Sequence, residues 1–159
     1  MENTEHIQDA SLSVQYVTFD LGDEEYGIPI LKLNEIIAYQ KPIAIPKVPA
    51  FIKGVLNMRD LVVPVIDLRE RFCMEKKEKD QMTVIMILDV SGRTMGMIVD
   101  SVNDVVTLNK DDIRNRPSFS TGIDMGFIEG MGVRDDTFII LLDVNRLFSD
   151  EELNIVDGV

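Results

Sequence analysis

Two stretches of this chain are spaced copies of one another, and that repetition constrains the fold more than any other feature. Gly54 to Phe72 and Gly130 to Phe148 are both 19 residues long and lie 76 positions apart. In register, Gly54 meets Gly130, Asp60 meets Asp136, Asp67 meets Asp143 and Phe72 meets Phe148. The apolar arm Leu61 to Ile66 meets Thr137 to Leu142. A second pair matches at an offset of 69, with Tyr26-Gly27-Ile28 through Ile37 set against Met95-Gly96-Met97 through Val106. There Gly27 meets Gly96, Asn34 meets Asn103 and Glu35 meets Asp104. The same order and similar spacing in both halves imply one β-rich unit of about 65–70 residues used twice.

Each unit reads as short strands and tight turns. Val17, Phe19 and Leu21 alternate with Thr18 and Asp20, the period of a half-buried strand, and Gly22-Asp23-Glu24 is a turn. Ile52 to Met58, Arg59-Asp60 and Leu61 to Ile66 form one hairpin. Met82 to Leu88, Ser91-Gly92 and Arg93 to Val99 form a second, and Phe127 to Val133, Arg134 to Asp136 and Thr137 to Leu142 a third. Pro64 implies an edge or bulge position in its strand. Ile30, Leu33, Ile36 and Ile37 stand at helical spacing and predict a short helix over 29–35. Pro42, Pro46 and Pro49 make 41–50 an extended loop. Glu75 to Asp80 is a charged connector, Asp111 to Thr121 an irregular loop, and Ser149 to Glu152 opens a capped C-terminal helix.

No strand–helix–strand alternation is present, so the expected fold is mainly β. Two small five-stranded barrels packed together would leave few free edges, with short helices including one at the C-terminus. The expected organisation is a disordered tail over 1–13, then a single domain over 14–159. Its pseudo-repeated subdomains run about 14–80 and 81–148, and strands are free to cross between them. The groove between the barrels is the natural place for a partner.

Composition narrows the function. The net charge of −12 repels phosphate backbones and anionic lipid, so nucleic acid is not an expected partner. No apolar run approaches the roughly 18 residues of a membrane span, which argues against membrane insertion. Residues 1–13 lack the basic and apolar regions of a signal peptide, and the cytoplasm is expected. His6 is the sole histidine and Cys73 the sole cysteine. Nucleophile–histidine pairs, histidine or thiolate metal sites and disulfides are therefore disfavoured, and neither a metal nor a cofactor is expected. Gly126, Gly130 and Gly132 read as strand bends, since no phosphate-binding Gly-Lys pattern follows. Cys73 reads as a small hydrophobe packed beside Phe72. Met82, Met86, Met95 and Met97 flank one hairpin, either as core filling or as an adaptable binding face. Asn57-Met58-Arg59-Asp60 forms a hairpin tip with apolar arms, where Arg59 is either a solvated turn residue or an interface anchor.

Several segments resemble the CheW family of chemotaxis coupling proteins. They are Leu21-Gly22-Asp23-Glu24-Glu25-Tyr26-Gly27-Ile28-Pro29-Ile30, Pro49 through Arg59, Val63-Pro64-Val65-Ile66-Asp67-Leu68-Arg69, Gly96 through Val102 and the Gly130-Met131-Gly132 hairpin. The resemblance covers about residues 14–155. It implies two SH3-like barrels and an adaptor without catalysis. Such an adaptor binds the regulatory domain of the histidine kinase CheA and the cytoplasmic tip of methyl-accepting chemoreceptors, and is recruited to membrane-attached arrays. Carried onto this chain, Leu33, Glu35, Ile36, Asn57 and Arg59 fall at receptor-binding positions. Kinase contacts fall mainly on the first barrel, without residue assignments. The family usually has Gly where Asp60 stands. Asp60 is then a possible modulator of receptor binding, able to pair with Arg59 and compete with a receptor carboxylate. The alternatives are a CheW-like domain cut from a receiver-bearing coupling protein, or a double barrel that binds a small molecule.

Overall fold

The computed structural model describes residues 13–114 and 126–158. The expectations for residues 1–12, and for most of the loop from Asp111 to Thr121, lie outside them.

The first half runs β1 (Val14–Leu21), β2 (Glu24–Pro29), β3 (Leu33–Ala38), β4 (Ile52–Met58), β5 (Leu61–Asp67) and α1 (Leu68–Arg71). The second runs β6 (Val84–Val90), β7 (Arg93–Val99), β8 (Ser101–Leu108), β9 (Ile113–Arg114), β10 (Ile128–Arg134), β11 (Thr137–Leu142) and α2 (Asp150–Asp157). The fold is mainly β, and all three expected hairpins form. One sheet has the order β8-β1-β2-β11-β10-β9 and the other β3-β6-β7-β5-β4. Position by position, these orders are the same sheet with the halves interchanged. Each half sends its first hairpin into the sheet of the other. Each inserted hairpin is held on one side by a parallel ladder, β5 on β7 through Val65↔Gly96 and β11 on β2 through Leu141↔Gly27, and on the other by an antiparallel one, β6 on β3 and β1 on β8.

The closed barrels of the sequence reading are not formed: both sheets are open. The sixth position shows why. In one sheet it is the two-residue β9, in the other a single bridge between Ile43 and Val55. Segments this short cannot carry a ladder across to the far edge. Their crossing explains the matched glycines. A Cβ on Gly54, at φ +142°, would lie 2.0 Å from the Ile43 carbonyl oxygen, and one on Gly130 would lie 2.8 Å from that of Arg114. Both glycines sit at register shifts of their strands.

The interchange builds one shared core. Phe19, Leu21 and Ile28 from one sheet meet Ile66, Met86, Leu88, Met95 and Met97 from the other, all fully buried. Core filling is thus the role of Met86, Met95 and Met97, whereas Met82 is exposed. The matched phenylalanines pair across the halves, Phe72 on Phe127 at 4.7 Å and Phe148 on Phe51 at 6.2 Å. Smaller cores fill each sheet separately: Leu56, Val63, Val65, Ile85, Ile87 and Ile98 in one, and Tyr16, Val106, Leu108, Ile139 and Leu141 in the other.

Matched aspartates cap matched turns. Asp67 accepts from the Arg69 N–H at the start of α1, and Asp143 from the Asn145 N–H at the start of the 3-10 turn Val144–Arg146. Ser149 and Glu152 close the expected capping box of α2. Arg93 fixes the far end of that helix, donating to both Asp157 carboxylate oxygens at 2.6 and 2.7 Å.

Three local readings need correction. Residues 30–32 form a 3-10 turn and 33–38 a strand, not a helix over 29–35. A bulge between Leu33 and Glu35 breaks strict alternation and imitates helical spacing. Pro64 lies in an interior strand, but the ladder with β7 begins only at Val65, so no hydrogen bond is lost there. Cys73 is exposed rather than packed, at φ 59°. It occupies the left-handed position after α1, where the Cys73 N–H donates to the Glu70 carbonyl and the Met74 N–H to that of Arg69.

Between the halves lies a buried ion pair. Arg69 donates from Nε and Nη2 to the two Asp100 oxygens at 2.7 and 2.6 Å, and from Nη1 to the Glu75 carbonyl at 2.8 Å. The Gly22 N–H adds a bond to Asp100 at 2.9 Å. Burial opposes ionisation of Asp100, but the Arg69 and Gly22 hydrogen bonds and the charges of Arg69 and Lys77 outweigh it. The carboxyl is held below its ordinary value.

Two outcomes are expected. Cys73→Gly raises stability by about 0.5–1 kcal/mol in denaturant unfolding, because glycine enters the left-handed region without strain; a loss would show that the thiol makes a stabilising contact. Asp100→Asn costs about 2–3 kcal/mol at neutral pH, somewhat less than a fully buried pair because the Glu75 carbonyl remains to Arg69. A depressed carboxylate contributes above its unfolded pKa of about 3.9 and loses that contribution as pH falls through the folded value. The gap between wild type and variant therefore closes below about pH 4. A gap unchanged down to pH 3 would contradict the assignment.

Candidate functional site

The turn between β4 and β5 consists of Arg59 and Asp60, with φ of 51° and 67°. Two successive positive φ values match the right-handed twist of a tight hairpin, for which Asn, Asp and Gly are the usual residues. The corresponding turn of the second half obeys this with Asp135 and Asp136. Arg59 does not: a long side chain in the left-handed region costs roughly 1–2 kcal/mol. Lys47, Cys73 and Ser91 occupy the same region, so what singles out Arg59 is its place at the groove and not its backbone.

From this position the 83% exposed Arg59 side chain donates from Nη2 to Glu35 Oε2 at 3.0 Å. Glu35 lies on the edge strand β3, opposite Ile87. Together they flank an open groove of about 250 Å³. Met58, Leu61, Val63 and Ile87 line its apolar part, and Asn34, Glu35, Arg59 and Thr94 its polar part. Val63 and Ile87 also belong to the small core of that sheet, so the groove is the mouth of this core.

At the equivalent place in the second half, polar groups replace the apolar floor. Where Ile87 lines the groove, the second half has Thr18, which is 0% exposed. Its hydroxyl accepts from the Asp104 N–H at 3.2 Å and donates to the Asp104 carbonyl at 3.3 Å. Asn103 adds bonds to Asp20 at 2.7 Å and Glu25 at 3.3 Å. The two halves thus differ here in side chains, an apolar Ile87 in one and a hydrogen-bonded Thr18 in the other.

Of the residues singled out in the sequence, the structure brings Glu35 and Arg59 together, with Asp60 in the same turn. Leu33 lies opposite Leu88 and packs on the shared core. Ile36, 40% exposed, lies opposite Met86 on the other face of β3. Asn57 is exposed opposite Val62, on the face of the hairpin away from Met58. The carboxylate that engages Arg59 is Glu35, not Asp60. The site residues expected from the sequence did not include Asn34, Met58, Leu61, Val63, Ile87 and Thr94. The apolar arms of the hairpin signalled Met58, Leu61 and Val63; nothing local signalled Ile87 and Thr94, which arrive on the interchanged hairpin.

Among the described residues no group of His, Cys, Asp and Glu is arranged to hold a metal ion, and no helix is long and apolar enough to cross a membrane. The described residues thus form an interlocked pair of sheets with an open, charge-rimmed apolar groove. The family model of the CheW-like domain matches residues 15–152, and the chain belongs to that family. It is 40% identical to the chemotaxis protein CheW of Klebsiella aerogenes, over 91% of this chain and 87% of that protein. It is 34% identical to the chemotaxis protein CheW of Treponema pallidum, over 87% of this chain and 84% of that one. Among solved structures, the scaffolding protein TtCheW of Thermoanaerobacter tengcongensis superposes with a TM-score of 0.81 at 34% identity, covering 87% of this chain and 94% of that one.

Proposed function

We propose that this protein is a non-catalytic adaptor that couples chemoreceptors to the histidine kinase CheA in membrane-attached signalling arrays. The observation that carries the reading is the open apolar groove flanked by Arg59 and Glu35. A receptor hairpin tip with an apolar ridge and polar flanks would fit it. The groove offers the complement, an apolar floor under a fork-shaped guanidinium and a carboxylate. The groove, of about 250 Å³, and the adjoining cleft over Arg93 and Asp157, of about 310 Å³, are both open to solvent, which disfavours the ligand-binding alternative.

Binding drives the mechanism. One face grips the receptor tip while another, mainly on the sheet built from β3, β4 and β5, grips the kinase regulatory domain. Holding both raises their effective concentration toward each other. Receptor states that differ in geometry then bias the kinase through a connection that is stiff because the two sheets share one core.

Arg59→Ala should weaken binding of a receptor tip fragment by about 1–3 kcal/mol in calorimetry, the range expected for an anchoring residue. Affinity for the isolated kinase regulatory domain should stay the same. Unchanged tip affinity in a folded variant would remove Arg59 from the site.

A further inference from the structure

We propose that Asp60 selects the partner of this groove, favouring an apolar segment that carries a Lys or Arg side chain where it crosses the hairpin tip. The inference rests on the reading of the groove as the receptor-tip site and names the chemistry of the matching surface.

The argument is one of charge. Arg59 and Glu35 neutralise each other across the groove at 3.0 Å. Arg93, next to the lining residue Thr94, is neutralised by Asp157 through two hydrogen bonds. Asp60 is exposed, sits between the lining residues Arg59 and Leu61, and makes no hydrogen bond or ion pair among the described residues. The turn beside the groove therefore carries a negative charge with no ion-pair partner among the described residues, and Asp89, opposite the lining residue Thr94, adds a second. A partner with a carboxylate at that point meets repulsion, and one with an ammonium or guanidinium meets attraction. The net charge of −12 adds a long-range field of the same sign.

A purely conformational role is the competing account, since Asp136 holds the same turn position at φ 66°. Asparagine separates the two, because it tolerates the left-handed region as aspartate does and carries no charge. Wild type, Asp60→Asn and Arg59→Ala are titrated with a soluble chemoreceptor hairpin-tip fragment at about 50 and 300 mM salt, conditions of long and short screening length. Asp60→Asn is expected to bind about fivefold more weakly at low salt and to lose part of the salt dependence, while melting as wild type does. Replacing the tip's basic residues singly by Gln should reproduce that loss against wild type, and one of these replacements should have no further effect against Asp60→Asn. Equal or tighter binding by Asp60→Asn at both salt concentrations overturns the inference. If that occurs while Arg59→Ala still weakens binding, the receptor-tip reading stands and only the role of Asp60 falls. If wild type does not bind the fragment, both fall together.

Discussion

Everything in this structure depends on the interchange of hairpins between the two halves. The hairpin β6–β7 lies between β3 and β5, and the hairpin β1–β2 between β8 and β11. Neither half can satisfy the backbone hydrogen bonds of its own strands without the other. Small β units are marginal alone because they bury too little surface. Here the halves share the largest apolar cluster, pair their aromatic rings reciprocally and place the Arg69–Asp100 ion pair at the junction. The result is a stiff body, which suits a part that transmits geometry between partners.

Duplication also created the conditions for asymmetry. Two equivalent places began with the same backbone, the same bulge and the same tight turn. In one, Thr18 ties itself to the backbone of Asp104 and Asn103 draws in Asp20 and Glu25. In the other, Ile87 leaves the floor apolar, and Arg59 accepts backbone strain to reach Glu35. A stability optimum would place Asn, Asp or Gly at Arg59, as the second half does with Asp135. This departure from local preference, one of several in the chain, falls at the residue whose side chain reaches Glu35 beside the groove.

Much of this was legible in the residues. The repeat located the hairpins, and its matched positions each have a cause: glycines where another segment crosses, aspartates that cap turns, phenylalanines that pair across the halves. What local patterns could not reveal was which hairpin enters which sheet, since strand alternation says nothing about partners far along the chain. That is why Ile87 and Thr94 were missed and why closed barrels were expected. The bulge at Leu33–Glu35 disguised a strand as a helix, and the left-handed position after α1 turned Cys73 outward. The resemblance to CheW proteins supplied Glu35 and Arg59 as site residues; the structure adds that they touch each other, and that Leu33, Ile36 and Asn57 face elsewhere.

The central claim is that one rigid body holds two partners at once. The most direct test is sedimentation of the full chain with the CheA regulatory domain and a chemoreceptor tip fragment, each labelled separately. The account predicts a single species that contains all three proteins, with the affinity for each partner no weaker when the other is bound. Mutual displacement of the two partners, or failure of the folded protein to bind either, would contradict it.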